Sequence, residues 1–398
     1  MSKNYIPLFF ICSVILSCSA QLKESKLIEV IPFELIDDTI LIKLSVNNSG
    51  DALFIFDTGA GGTLISKSFG EKLNLKNGFP SINTGASGIH KVDIYHGNTI
   101  TIGDTRIKNI PLIKDRKDFT FRSFQRTIDG IVGYDILSKY VTKINYRKKQ
   151  LELYGFNNFN KSGFGKRYAF TMMQNIPFIF LDSIQIGKGF YSGKLLIDTG
   201  AQPNLIFNAP FVKEHKINKK VGTSFTVTGP VGTSNTKTTS IICKIPVITI
   251  FQSKITQIPT VLATSKKGAQ NNRNYIGIIG NGILKKFDIT LNYSKKELFV
   301  KPNQLFNQPF KMNCFGAFFI KEGIGKRLII KGFVNNSPAQ LSSLKIGDEI
   351  LEINDIPVLS ISSSALRSIL SQNGNEITIK YKRDKETHKT KIKLKSLI

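Results

Sequence analysis

The chain contains the same unit twice, and that duplication limits its possible folds more than any other feature. Ile31-Pro32-Phe33, a strand-like alternation and then FIFDTGAGGTLI over 54–65 reappear as Ile176-Pro177-Phe178 and LLIDTGAQPNLI over 195–206. Further on, DGIVGYDILSKYVTKINYRKKQLELY over 129–154 reappears as YIGIIGNGILKKFDITLNYSKKELFV over 275–300. Asp57 and Asp198 stand 141 positions apart, whereas Gly130 and Gly277 stand 147 apart, so the second copy carries about six extra residues between its motifs. Two blocks repeated in the same order argue for a duplicated lobe.

Each copy is built of short β-branched runs broken by Gly and Asn, which predicts an all-β lobe with tight hairpins. Residues 99–104 and 241–251 are strand candidates, and short helices are expected at 136–139 and 283–286, after the glycine motifs. No long helical pattern occurs between 28 and 302. The first lobe is expected over 28–154 and the second over 169–302, with the Gly-, Asn- and Lys-rich stretch 155–168 as the link. A length of 398 residues with 41% apolar side chains is enough for two or three cores. A polar stretch over 302–310 reads as a further linker before a different pattern begins.

The N-terminus has the layout of a secretory signal over 1–20: Lys3, an apolar run from Tyr5 to Leu16, then Ser17, Cys18, Ser19 and Ala20. The run is short for a bilayer span. Ile15-Leu16-Ser17-Cys18 resembles a bacterial lipobox, which implies lipidation of Cys18 and anchorage through several acyl chains; cleavage after Ala20 is the alternative. An exported protein of a bacterial envelope, facing the periplasm or the cell surface, is expected. Cys243 and Cys314 then remain, too few for a disulfide framework and in no zinc spacing, and each is expected as a buried small residue.

The chemistry centres on the two repeated turns. A carboxylate on a tight Thr-Gly turn directly after an apolar strand is costly unless hydrogen-bonded or used. The bland fate of one such Asp is to cap local backbone. A pair on matching positions of duplicated lobes would instead meet across the lobe interface, and like charges about 3 Å apart cannot both ionise, so they would share a proton. The charged member can take a proton from an attacking water while its partner donates to the peptide carbonyl. Around them, Thr58 and Thr199 can cross-link the turns through their hydroxyls, Gly59 and Gly200 allow close approach, and Ala60 and Ala201 keep the site small. Asp129 and Asp135 face Ile276 and Gly282 in the other copy, so structural duty is expected of them. His90, His96, His215 and His388 share no spacing, and neither a metal nor a cofactor is expected.

Hydrophobic-hydrophobic-Asp-Thr-Gly-Ala, followed by hydrophobic-hydrophobic-Gly before a short helix, resembles the retropepsin-like aspartic peptidases over about 28–302. The resemblance implies a mostly β fold of two pseudo-symmetric acid-protease lobes, endopeptidase activity, catalytic aspartates at Asp57 and Asp198, and a mobile flap over the cleft. Flap candidates are the glycine-bearing hairpins at 83–91 and 227–235. Gly61-Gly62 stands where the second copy has Gln202-Pro203, which predicts unequal subsites.

The tail over 315–395 resembles a bacterial PDZ domain, a small α+β module, through FGAFFI (315–320), RLIIKGFVNNSPAQ (327–340), LKIGDEILEINDIPV (344–358), the helix SSALRSILSQ (363–372) and two closing strands. It departs from the usual pattern at Ser342-Ser343 and Asp355, which leaves the peptide preference open. A C-terminal peptide would dock by strand addition, with the backbone around Phe315, Gly316, Ala317 and Phe318 holding its carboxylate. Packing on the peptidase and shaping its cleft is the other role open to this module.

The net charge of +27 is spread along the chain and reads as a solvated surface suited to an anionic membrane face or acidic partners. No module signature or aromatic-basic stripe points to nucleic acid. The expected partners are a peptide or unfolded-protein substrate and a membrane. A peptide-binding envelope protein that holds chains without cutting them is the competing function.

Overall fold

The computed structural model describes residues 25–86, 88–119, 127–157, 159–230, 237–322 and 327–398. The signal segment and Cys18 lie outside the described residues, as does the tip of the second flap candidate at 231–236. The protein is mostly β, in two lobes and a C-terminal domain.

In the first lobe, Ala52–Phe56 runs parallel to Gly130–Val132, with Phe54 opposite Gly130 and Phe56 opposite Val132. Thr63–Ile65 flanks Gly130–Val132 on the other side, antiparallel, and continues parallel to Thr105–Asp115. The second lobe repeats this: Gly189–Asp198 is parallel to Gly277–Gly280, and Leu205–Phe207 lies between Gly277–Gly280 and Ser253–Ala263. Both aspartates therefore leave the end of a central strand. These strands are apolar because both faces are covered, and Phe54, Phe56, Leu195 and Ile197 are almost wholly buried.

Six strands cross the seam between the lobes, in the order Lys166–Ala169, Glu297–Pro302, Phe287–Asn292, Val141–Asn145, Gln150–Tyr154 and Leu27–Ile36. The lobes join where Ile289 pairs with Ile144 and Leu291 with Thr142. One apolar core runs through both lobes, with Phe56, Ile144, Phe287 and Leu298 among its members. The stretch 155–168, read from sequence as a link, ends instead in a strand: Lys166–Ala169 pairs with Glu297–Pro302 and closes one edge of the seam sheet. Its polar composition fits an edge position.

Glu152 sits on this sheet among four donors: Lys143 Nζ at 2.9 Å, Asn145 Nδ2 at 2.9 Å, Gln150 Nε2 at 3.0 Å and Tyr154 OH at 2.7 Å. Burial alone would raise its pKa, but the hydrogen bonds outweigh burial and bring it down to about 2. The stability it contributes is thus complete above the ordinary value of 4.5 and is lost as pH falls through about 2. Glu152→Gln is expected to flatten the acid side of a plot of melting temperature against pH. A plot that keeps its slope below pH 4.5 would assign the acid limit elsewhere.

Two-residue hairpin turns recur, including Asp37-Asp38 and Gln174-Asn175, with all four residues at positive φ between 50° and 65°. Such turns match the strand twist, and Asp and Asn tolerate the left-handed region. The short helices after the glycine motifs span Tyr134–Leu137 and Asn281–Leu284, two residues earlier than the sequence suggests. Two six-residue helices, Lys67–Lys72 and Ala209–Glu214, were not anticipated.

The C-terminal domain is a separate sheet ordered Ala317–Glu322, Arg327–Phe333, Glu349–Ile353, Glu376–Arg383 and Glu386–Lys393, with the helix Ser363–Leu370 against its own core. It touches the lobes through Arg367 Nη2 on Asp37 Oδ1 at 2.9 Å and through Lys244 Nζ on the Ile398 carbonyl at 2.9 Å.

Candidate active site

Asp57 and Asp198 meet at the seam, their carboxyl groups hydrogen-bonded to each other and partly exposed. Gly59 N–H donates to Asp57 Oδ1 at 2.6 Å and Ala201 N–H to Asp198 Oδ1 at 2.8 Å; Gly200 N–H contributes to both carboxyls. The turns are locked by a reciprocal grip. Thr58 N–H donates to Thr199 Oγ1 and Thr199 N–H to Thr58 Oγ1, both at 3.0 Å. The hydroxyls then donate across the seam, Thr58 Oγ1 to the Ile197 carbonyl at 2.7 Å and Thr199 Oγ1 to the Phe56 carbonyl at 3.1 Å. Both threonines are buried. A hydroxyl that accepts from one strand and donates to another is fully used, so the grip leaves no buried group wanting.

Gly59 and Gly200 each lie against the opposite carboxyl. A Cβ at Gly59 would fall 2.8 Å from Asp198 Cγ, and one at Gly200 2.4 Å from Asp57 Cγ. Ala60 is buried, and its carbonyl accepts from Tyr134 N–H at 3.1 Å. Ala201 does the same for Asn281 N–H at 2.8 Å.

Burial raises the pKa of both aspartates. For Asp57 the hydrogen bond with Asp198 and those from Gly59 and Gly200 oppose the rise. For Asp198 the negative charge of Asp57 adds to burial, and the result lies well above the ordinary carboxylate range. Both shifts favour a pair that holds one proton between its two carboxyls.

The Gly61/Gln202 difference has a packing cause in addition to any subsite effect. A Cβ at Gly61 would lie 2.7 Å from the Gln174 carbonyl oxygen, while Asn175 Nδ2 donates to the Gly61 carbonyl at 3.2 Å. Gln202 instead reaches the first lobe, Nε2 to Thr39 Oγ1 at 3.2 Å. Asp129 and Asp135 are occupied structurally: Asp129 Oδ2 accepts from Leu53 N–H at 2.8 Å, and Asp135 Oδ2 from Thr63 Oγ1 at 2.6 Å.

The first flap candidate is the hairpin of Phe79–Thr84 and Ile89–Ile102. Its tip reaches the second lobe, where Ala269 N–H donates to the Gly85 carbonyl at 3.0 Å and Gln270 N–H to the Ala86 carbonyl at 2.9 Å. Tyr275 OH holds the Ala269 carbonyl at 2.7 Å from behind.

Cys243 and Cys314 are free and buried, and burial pushes the Cys243 thiol up to about 12. Among the described residues no cluster of three His, Cys, Asp or Glu side chains forms a metal cage. A crevice of about 560 Å³ between the second lobe and the C-terminal domain is lined by Lys244, Lys254 and Lys286 and includes neither aspartate.

In the C-terminal domain, Phe315 is core, stacked on Phe319 at 5.9 Å. The N–H groups of Phe315 and Gly316 both donate to Asn313 Oδ1, at 2.8 and 3.0 Å, so these two amides already have an acceptor. Ala317 and Phe318 begin the edge strand Ala317–Glu322.

Two parts of the chain match known families. Residues 42–136 match the family model described as aspartyl protease, and residues 315–394 match the PDZ domain model. No curated protein matches the chain. Among solved structures, an aspartic proteinase from Irpex lacteus is similar at 12% identity with a TM-score of 0.43, over 70% of this chain and 98% of that one. By the family-model match, the chain carries an aspartyl protease domain. More narrowly, the duplicated lobes are similar to the retropepsin-like aspartic peptidases, and a PDZ domain follows them.

Proposed function

We propose that the protein is an aspartic endopeptidase that hydrolyses peptide bonds through Asp57, Asp198 and an activated water. The supporting observation is the half-buried, mutually hydrogen-bonded pair of carboxyls held by the Thr58 and Thr199 grip. The established logic of aspartic-protease pairs is applied here to these two residues. Asp57, ionised, takes a proton from water as its oxygen attacks the scissile carbonyl carbon. Asp198 donates its proton to the carbonyl oxygen. The tetrahedral species collapses when Asp57 returns a proton to the leaving nitrogen while the now ionised Asp198 takes one back from a hydroxyl of the diol, and the C–N bond breaks to give an acid and an amine with the pair restored. Thr58, Thr199, Gly59, Ala60, Gly200 and Ala201 fix the pair, and the hairpin over 79–102 closes on an extended substrate and excludes water.

The substrate is a peptide or unfolded segment of a protein. At the PDZ domain, the free edge of Ala317–Glu322 suits strand addition by a second peptide. Export and lipid anchorage through Cys18 would place the enzyme on a bacterial envelope membrane, facing the periplasm or the cell surface.

The deciding experiment is incubation of the full chain with a reduced, alkylated protein between pH 3 and 8, with mass spectrometry of the products. Internal cuts are expected. Chains recovered bound yet whole across that range would replace the peptidase by a peptide-holding envelope protein.

A further inference from the structure

Stepping 147 positions along the repeat carries Tyr134 onto Asn281 and Tyr146 onto Tyr293. The folded lobes pair these four crosswise. Tyr146 of the first half donates its hydroxyl to Asn281 Oδ1 of the second. Tyr293 of the second half packs against Tyr134 of the first, ring centroids 6.1 Å apart and planes tilted by 55°, and its buried hydroxyl has no hydrogen-bond partner among the described residues. One strut of the pair is hydrogen-bonded and the other is only packed.

Asn281 is completely buried, and its main-chain N–H and both ends of its side-chain amide are hydrogen-bonded to residues outside its own helix. Its N–H donates to the Ala201 carbonyl at 2.8 Å, its Nδ2 donates to the Asp38 carbonyl at 2.8 Å, and its Oδ1 accepts from Tyr146. Ala201 N–H in turn donates to Asp198 Oδ1 at 2.8 Å. A continuous run of hydrogen bonds therefore leads from two points of the first lobe, Tyr146 and the Asp37-Asp38 turn, to the carboxyl of the second. Gln202, on the same loop, adds a bond to Thr39 beside that turn. Tyr134, the counterpart of Asn281, shares only the main-chain bond, to the Ala60 carbonyl.

The residue type fits the task. An amide offers a donor at one end and an acceptor at the other, as required between a carbonyl and a hydroxyl. Asp would set an acceptor against the Asp38 carbonyl, and Ala would leave two buried groups without partners.

We propose that Asn281 is a positioning residue for the reaction: it ties the Ala201 segment to Tyr146 and the Asp37-Asp38 turn, and so fixes where Asp198 stands relative to Asp57. The inference rests on the reading of Asp57 and Asp198 as the catalytic pair. A misplacement of about 1 Å at a reacting group costs on the order of 100-fold in rate.

The test compares Asn281→Ala, Tyr146→Phe and Asp57→Asn in the full chain. It reads kcat and KM from pH 3 to 8 on a peptide that the wild type cleaves, with the folded fraction followed by circular dichroism. Asn281→Ala is expected to lower kcat by roughly 10- to 100-fold at a KM within about threefold. It is also expected to displace at least one limb of the kcat–pH profile, because the proton shared by the pair depends on their separation. Tyr146→Phe keeps the ring and removes one bond; a smaller fall with a displaced limb is expected, and it carries the test if Asn281→Ala fails to fold. Wild-type kcat and profile in Tyr146→Phe, or an Asn281→Ala loss that disappears once corrected for folded fraction, overturns the proposal. If Asp57→Asn is inactive while these variants behave as wild type, the positioning role alone fails. If Asp57→Asn stays active, the catalytic reading fails and takes the proposal with it.

Discussion

Asp198→Asn is expected to lower kcat by at least about 10²- to 10⁴-fold, the range for removing a general acid or base, and also to give a protein that melts higher at neutral pH. The second effect follows from the sign of the shift. Burial and the charge of Asp57 raise the folded pKa of Asp198. Below the ordinary carboxylate value both folded and unfolded chains are protonated there, and the group is neutral in the balance. As pH climbs from that value toward the raised one, the unfolded chain releases a proton the folded chain must keep, so folding loses stability across that window. Asparagine never ionises and removes the loss. The prediction is thus an inactive enzyme whose melting temperature stays level where the wild type declines. Asp57→Asn should be equally inactive, with the smaller stabilisation that its opposed shift implies. Measured turnover in either variant, after exclusion of contaminating wild type, removes the pair from the mechanism.

The second large effect is expected at Gly200. An Ala there brings a methyl to 2.4 Å from Asp57 Cγ and 2.5 Å from its Oδ2. The atoms in the way belong to a side chain, so the fold can yield by turning the carboxyl, and the displaced group is the one proposed to activate water. Gly200→Ala should therefore fold, with a kcat about 100-fold or more below wild type. Gly133→Ala makes the contrast: its Cβ would fall 1.9 Å from the Asp57 carbonyl oxygen, where only backbone can move. That variant is expected to lose soluble folded protein. Near-normal kcat in folded Gly200→Ala would mean that the carboxyl tolerates displacement, against the proposed geometry.

Much of this architecture is legible in the amino-acid order because duplication displays it twice. The two Asp-Thr-Gly-Ala turns, their partner glycine strands and the change of pattern after 302 stand out without any coordinates. Short-range features that need more than two turns of periodicity do not. The helices Lys67–Lys72 and Ala209–Glu214 have six residues each, too few to show a helical stripe. Ser66, whose side chain accepts from Phe69 N–H at 3.2 Å, and Pro210 at a helix start were the available signals. Lys166–Ala169 reads as linker because an edge strand can be polar, and nothing local names its partner. Asn281 escaped for another reason: it lies in the matched block, but the informative fact is that it differs from Tyr134, and its partners Asp38 and Tyr146 are remote in sequence. The PDZ amides likewise gave no sign that Asn313 accepts from two of them.

The continuous sheet that joins the lobes has a mechanical consequence. With main-chain bonds running unbroken from Leu27–Ile36 to Lys166–Ala169, the halves cannot swing apart like jaws without tearing that floor. On the proposed reading of the hairpin over 79–102 as a flap, each passage breaks the two bonds that Ala269 and Gln270 make to Gly85 and Ala86, which would admit a slender unfolded strand more readily than a folded globule.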